Sequence, residues 1–162
     1  MTSLAFGEAG GRHLMACGAN RGNNLHLFES KDADCSRGKP NWKEVWRKTL
    51  GGEVTGIVLD GLQDRLIAGT SQGFLLCYDL DGNPVWSKLF DKGIRHLAAA
   101  GGGVLVCDNS GRIRLADPAG NMCDYSDLAA PATCVVPVRD GVYMGSENTV
   151  WRIREATPRT SS

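Results

Sequence analysis

Cysteine and histidine are the side chains in this 162-residue sequence that could bind a metal ion or act as nucleophiles. The six cysteines, at positions 17, 35, 77, 107, 123 and 134, form no CxxC pair. A structural zinc site takes closely spaced pairs of such ligands. The three histidines, His13, His26 and His96, have neither HxxxH nor HExxH spacing. We therefore predict no metal site, and the spacing identifies no catalytic residue.

Acidic and glycine-rich segments are the other candidate sites. The segment Asp-Leu-Asp-Gly that begins at Asp79 resembles the start of a calcium loop, but the bidentate glutamate is absent at the required spacing. The three glycines at 101–103 precede no predicted helix, so they do not predict a phosphate cradle. We expect turns at both segments and no bound cofactor.

Four of the cysteines, Cys17, Cys77, Cys107 and Cys134, lie within apolar runs. A free cysteine in such a run behaves as a small hydrophobic residue, so buried thiols are expected. Unpaired thiols are typical of a reducing compartment. The sequence therefore predicts a cytoplasmic protein.

Composition excludes several classes of partner. Eighteen Lys and Arg residues balance eighteen Asp and Glu residues, whereas binding to nucleic acid or an anionic membrane needs a basic excess. No segment approaches the roughly 18 apolar residues of a membrane span, and the opening MTSLAFGEAGG does not resemble a secretion signal. Glycine, at 21 of 162 residues, has about twice its usual share. This indicates many tight turns between short strands.

An internal repeat of 38 residues organises the chain. Gly69, Cys107 and Gly145 occupy one position of the repeat, and a second position is occupied by Phe74, Arg112 and Val150. A further copy lies upstream, over 12–19 and 24–29, and is followed by an insertion of about ten polar, turn-forming residues. The chain therefore contains four copies of one unit.

Within each copy the apolar pattern has a period of two and is interrupted by turns containing Gly, Asn or Asp. This predicts four short antiparallel strands per copy, a meander that must stack on its neighbours to cover its faces. The sequence thus predicts an all-β fold, a four-bladed β-propeller within residues 1–155. The predicted blades are 3–50, 51–90, 91–127 and 128–155. The last lacks its outer strand, and 156–162 form a polar tail.

The segment GTSQGFLLCYDLDGNPVW, from Gly69 to Trp86, resembles the repeat of the pyrroloquinoline-quinone-type, or quinoprotein dehydrogenase-like, propellers. Asp79, Gly82 and Trp86 match that repeat, and Trp46 occupies the tryptophan position of the first copy. The resemblance implies that this tryptophan docks between neighbouring blades. WD-type repeats are less similar, because the chain has no Trp-Asp pair and no Gly-His dipeptide. We assign blade docking to four residues: Trp46, Trp86, Gly69 and Gly145.

The third copy departs from this pattern, since it keeps Asp117 and Gly120 but has Asp124 at the tryptophan position. The quinone chemistry of the family is not expected either. The family that this repeat resembles consists, in its full quinoprotein dehydrogenases, of eight-bladed rings. These rings carry a disulfide between adjacent cysteines and acidic ligands for calcium. This chain has no adjacent cysteines and about half the blades.

Four blades either close into a small ring or form a half-ring whose end blades expose apolar faces. A soluble chain does not leave such faces uncovered, so the half-ring predicts a partner. Two copies arranged head to tail would give eight blades, and a larger partner subunit is the other possibility. We predict a non-enzymatic scaffold for protein interaction that is completed by self-association, as in a homodimer, or by a larger partner. The alternatives are a propeller that binds a small molecule or cofactor, and a fragment of an eight-bladed quinoprotein-like protein.

Partner contacts are expected in the loops between second and third strands and near the central axis. These positions carry polar side chains that could equally be ordinary turn formers. The candidates are Asn20, Arg21, Asn23, Asn24, Arg95, Asp108 and Asn109.

Overall fold

The structure, a computed structural model, describes residues 3–19, 23–31, 41–100, 103–127, 132–138, 141–146 and 149–153. Within these residues every regular element is a β-strand, and the strands form four separate antiparallel sheets. The predicted all-β class is therefore confirmed. The predicted tail at 156–162 lies outside the described residues.

Strands follow each other in sequence order within every sheet, as a meander requires. The first sheet contains β1 (Ser3–Ala9), β2 (Arg12–Ala19), β3 (Asn24–Ser30) and β4 (Lys43–Thr49). The second contains β5 (Val54–Asp60), β6 (Arg65–Thr70), β7 (Phe74–Asp79) and β8 (Pro84–Leu89). The third contains β9 (Ile94–Ala100), β10 (Gly103–Asp108), β11 (Arg112–Ala116) and β12 (Met122–Asp127). The fourth has three strands in the described part of the chain: β13 (Cys134–Val138), β14 (Gly141–Ser146) and β15 (Thr149–Ile153).

Adjacent sheets stack face to face, and three apolar cores fill the gaps between them. We call the face that meets the next sheet along the chain the forward face, and the opposite one the backward face. Because successive side chains of a strand point to opposite faces of its sheet, alternate residues of one strand belong to different cores. In β6, Leu66 and Ala68 pack towards the first sheet and Ile67 towards the third.

The inner strands β1, β5, β9 and β13 lie side by side around one axis, each in contact with the next. Within the described residues no comparable contact joins β1 to β13, so the array is open. Glycine permits the close approach. A Cβ atom added to Gly18 would lie 2.5 Å from the Val54 Cβ, and one added to Gly69 would lie 2.7 Å from the Ile94 Cγ2. Gly69 thus lies where the second and third sheets approach each other, and its docking role stays a prediction.

Each predicted docking tryptophan lies on a turn of the next sheet. The Trp46 Nε1 donates to the Leu80 carbonyl at 3.1 Å, with the ring against Gly82. The Trp86 Nε1 donates to the Pro118 carbonyl, also at 3.1 Å, with its ring against Gly120. A Cβ atom on Gly120 would lie 2.8 Å from the Trp86 indole, which is too close, and one on Gly82 would lie 3.1 Å from the Trp46 indole, a tight contact.

The turns that receive the tryptophans share the pattern Asp-x-x-Gly-Asn and the same hydrogen bonds. The Asp79 carboxylate accepts bonds from the Asn83 backbone N (2.7 Å) and from its amide Nδ2 (2.8 Å). Asp117 accepts the same two bonds from Asn121, each at 2.8 Å. Both turn glycines have positive φ, +87° at Gly82 and +83° at Gly120. The turn therefore presents a flat glycine surface on which an indole can lie.

The last hairpin departs from the 38-residue alignment. Gly73 and Gly111, both at φ +89°, close the corresponding loops of the second and third sheets, and the fourth copy has Thr149 at that position. Since threonine is disfavoured at positive φ, the loop is one residue shorter. Val150 therefore pairs with Gly145, as Leu75 pairs with Gly69. The predicted equivalence of Val150 with Phe74 and Arg112 is wrong by one residue.

Replacing Trp86 with alanine is expected to lower the free energy of unfolding by about 2–3 kcal/mol, because it opens the junction between the second and third sheets. Denaturant unfolding at one protein concentration measures the loss. Trp151→Ala is the matched control, since Trp151 is 50% exposed, and it should cost under about 1 kcal/mol. Equal losses for the two variants would show that Trp86 has no docking role.

Acid should remove the contribution of the Asp-x-x-Gly-Asn turns. Hydrogen bonds from Asn83 and Asn121 hold the pKa values of Asp79 and Asp117 below their usual value. A carboxyl group whose pKa is lowered on folding stabilises the fold above its unfolded pKa of about 3.9, and the effect is lost as pH falls through the folded pKa.

Asp117→Asn should therefore lower the melting temperature at pH 7, and the difference from the wild type should vanish at strongly acidic pH. Asp91→Asn, at an exposed position, is the control and should show little difference at any pH. A deficit for Asp117→Asn that is independent of pH would contradict the assigned cause.

Candidate functional site

The backward face of the first sheet is apolar, and within the described residues no sheet packs against it. Leu4 and Phe6 of β1 are 55% and 61% exposed. Met15 of β2 and Phe28 of β3 lie beside Phe6 on the same face and are half-buried. Large apolar side chains that share one exposed face are typical of a protein interaction surface.

Equivalent positions of the second sheet are covered. Leu59 and Leu66 pair in register as Phe6 and Met15 do, and both pack into the core between the first and second sheets. Tyr78, equivalent to Phe28, is buried in the same core. The first sheet therefore carries an inter-blade surface that no other sheet in the described part of the chain covers.

Aromatic rings are concentrated on this face. The Phe6 and Trp42 rings contact each other with their centroids 6.2 Å apart, and the His26 ring stacks on Phe28 at 5.9 Å. The His26 Nδ1 lies 3.1 Å from a carboxylate oxygen of Glu44, so the face is bordered by a polar rim. An aromatic centre with a polar border is the usual anatomy of a protein interface.

A second apolar surface lies at the other end of the array, on the forward face of the fourth sheet. Val136 and Tyr143 pair in register and are exposed, and Val150 is 73% exposed. The Arg152 guanidinium lies over the Tyr143 ring, 5.6 Å from its centroid. Gly145, predicted to dock a blade, lies on this face, and no further sheet among the residues that the structure describes packs against it.

The predicted loop contacts do not form one site. Asn23 and Asn24 lie between β2 and β3, where Asn24 accepts a hydrogen bond from Thr49 at 2.8 Å. Asn109 is exposed two sheets away, and Arg95 is exposed on β9. Asn20 and Arg21 lie outside the described residues.

Asp108 does not have the predicted partner role. It is buried, and one carboxylate oxygen accepts bonds from Ser110 Oγ (2.6 Å) and from the backbone N of Ser110 (2.8 Å) and Arg112 (3.1 Å). The side chain is thus committed to its own turn. The apolar end faces, with Leu4, Phe6 and Met15, were missed as named sites, although the alternation of the first strand could have identified them.

Groups that could do chemistry are dispersed. Burial raises the pKa of Cys77 to about 11 and also raises that of Cys107, which disfavours the thiolate. Burial lowers the pKa of His96, whose Nε2 lies 3.1 Å from the Ala132 carbonyl oxygen. Among the described residues no three metal-ligating side chains come together.

Two of the cysteines expected to be buried are not. Cys17 is half-buried on the backward face of the first sheet, and Cys134 is exposed on the forward face of the fourth. Both lie on an end face, where the apolar run that contains them is left uncovered. In the described part of the chain, no helix has the length and apolar character needed to cross a membrane.

No protein-family model and no curated protein matches the sequence. The solved structures do match the fold. The computationally designed protein Ika4 has a TM-score of 0.72 and 18% identity, over 93% of this chain and 89% of Ika4. Sqt1 of Saccharomyces cerevisiae has a TM-score of 0.76 and 14% identity. The computationally designed protein Ika8 has a TM-score of 0.64 and 12% identity.

Coverage differs between these structures. The match includes 96% of this chain but 46% of Sqt1, and 93% of this chain but 57% of Ika8. Identities this low carry the fold and nothing finer. The chain has a β-propeller fold with an open blade array, and the resemblance to quinoprotein-type repeats stays a prediction.

Alkylation of the native protein should distinguish structural thiols from reactive ones. Cys77 and Cys107 are expected to resist iodoacetamide because they are buried and their pKa values are raised, whereas the exposed Cys123 should react. Peptide mass spectrometry assigns each modification, and the unfolded protein provides the control. Rapid modification of Cys107 in the native protein would contradict its structural role.

Proposed function

We propose that this chain is a non-enzymatic β-propeller module that acts by binding protein through the end faces of its open blade array. A cytoplasmic location belongs to the same proposal, since the five cysteines within the described residues are free. The ring is completed by self-association or by a larger partner subunit.

The observation that carries the proposal is the exposure of Leu4 and Phe6 on a face whose equivalents are packed against another sheet. Burying one large apolar side chain contributes about 1.5–3 kcal/mol. The whole face therefore offers several times that energy to a protein surface of matching shape. A small ligand would leave most of so broad a face uncovered.

The dispersed chemistry supports a binding role over a catalytic one. The buried thiols have raised pKa values, and the Asp108 carboxylate is occupied by its own turn. The matched fraction of Sqt1, 46%, also supports a chain that supplies part of a larger ring. Because no sheet of the described residues covers either end face, association is the expected state.

Light scattering after size-exclusion chromatography tests the proposal. The wild type should have a mass above the 17.4 kDa of one chain, and Phe6→Asp should return it to the single-chain mass at the same micromolar concentration. Phe6 is exposed, so this change places a charge on the face without disturbing a core. Circular dichroism confirms that the variant remains folded.

Leu62→Asp is the matched control, because Leu62 is 82% exposed in the turn between β5 and β6, away from both end faces. It should leave the mass of the wild type unchanged. A wild-type protein that stays at the single-chain mass at every concentration would refute the proposal.

A further inference from the structure

We infer that the partner at both end faces is a second copy of this chain, placed head to tail. The forward face of the fourth sheet then covers the backward face of the first sheet of the other copy, and two identical junctions close an eight-bladed ring. This inference rests on the proposed function and names the partner of the same surfaces.

The junctions within the chain show how the two faces would meet. At the junction of the second and third sheets, Gly56 lies against Leu97, since a Cβ added to Gly56 would be 3.2 Å from the Leu97 Cβ. Val58 and Ile67 pack in one core with Val104 of the third sheet. Stacking of blades repeats this one contact, so the missing junction should follow the same rule.

Strand pairing identifies the end-face residues that are equivalent to Gly56 and Leu97. Cys134 pairs with Gly145 as Gly56 pairs with Gly69, so Cys134 takes the position of Gly56. Leu4 pairs with Cys17 as Leu97 pairs with Val106. Cys134 of one copy therefore faces Leu4 of the other.

The next row of side chains is complementary in the same way. Val136 and Tyr143 occupy the positions of Val58 and Ile67. The row they would meet contains Phe6 and Met15, which pair as Ala99 and Val104 do. Both rows are apolar, and each covers side chains that are exposed in a single chain.

The charged rim is complementary as well. Arg152 of the fourth sheet has the position that Cys77 has in the second, because it pairs with Tyr143 as Cys77 pairs with Ile67. Cys77 packs in one core with Ala116 and Met122 of the next sheet.

Phe28 and Glu44 pair in the first sheet as Ala116 and Met122 pair in the third. The Arg152 guanidinium of one copy thus meets the Phe28 ring and the Glu44 carboxylate of the other. A cation against an aromatic ring and a carboxylate favours this orientation over like-with-like pairing of the ends.

Closure explains why the assembly stops at two copies. A head-to-tail contact forms a ring when its rotation closes and a filament when it does not. Propellers have up to about eight blades, and two arrays of four sheets make eight. Each copy then has both end faces covered by the same partner.

A disulfide trap tests the arrangement. Leu4→Cys, made together with Cys17→Ser because Cys17 is the cross-strand neighbour of position 4 in the same chain, places a thiol opposite the native Cys134 of the other copy. The Cβ separation of 3.2 Å at the equivalent internal contact is close to the roughly 3.5–4.5 Å of a disulfide. After mild oxidation, a non-reducing gel should show a dimer, and mass spectrometry should join position 4 to Cys134. Light scattering should give twice the 17.4 kDa of one chain.

Two controls isolate the contact. Adding Cys134→Ser to Leu4→Cys should abolish the cross-link, and Leu62→Cys, on an exposed turn, should not form a dimer linked to Cys134. A wild-type dimer in which Leu4→Cys gives no link to Cys134 would overturn the head-to-tail arrangement while leaving the proposed function standing. A ladder of larger species would overturn ring closure. A single-chain mass for the wild type would refute both.

Discussion

The structure depends on the burial of sheet faces against other sheets. A blade of short antiparallel strands has two apolar faces and cannot cover either by itself. The chain solves this three times, by packing each sheet on the next with alternate residues of one strand in different cores. At the two ends no sheet of the described residues meets the same requirement, and this leaves the apolar end faces exposed. The fold and the proposed binding role therefore rest on one constraint.

The tryptophans at the sheet junctions fix how neighbouring sheets are positioned relative to each other. A stack of flat faces could slide, whereas an indole whose Nε1 donates to one carbonyl of the next sheet sets the relative position of both. The Asp-x-x-Gly-Asn turn has to be held open for the ring, which its carboxylate and positive-φ glycine achieve. The third sheet carries Asp124 where the second has Trp86, and Asp124 pairs instead with Arg114 of its own sheet at 3.3 Å. That junction relies on its apolar core.

Sequence reasoning succeeded where the determinants are local. The strand order and the turn glycines follow from a few neighbouring residues and their repetition. The two tryptophans that the repeat singled out, Trp46 and Trp86, donate to carbonyls of the next sheet. It failed at Asp108, since a carboxylate in a loop looks the same whether it faces solvent or its own backbone. The exposure of Cys134 was missed for a related reason: an apolar run indicates a strand, and whether a neighbour covers that strand is decided elsewhere in the chain.

The sequence by itself determined the repeat, the all-β class and the number of four blades, because alternation and turn residues act over short distances. Only the tertiary structure decided which faces remain uncovered and which residues of the last hairpin pair. Coverage of Leu4 or Val150 depends on sheets far away in the chain or absent from it. Pairing in the last hairpin depends on whether residue 149 tolerates the backbone that glycine adopts in the other copies. Both the exposure of a face and the pairing of the last hairpin are properties of assembled sheets, and a local sequence pattern does not predict them.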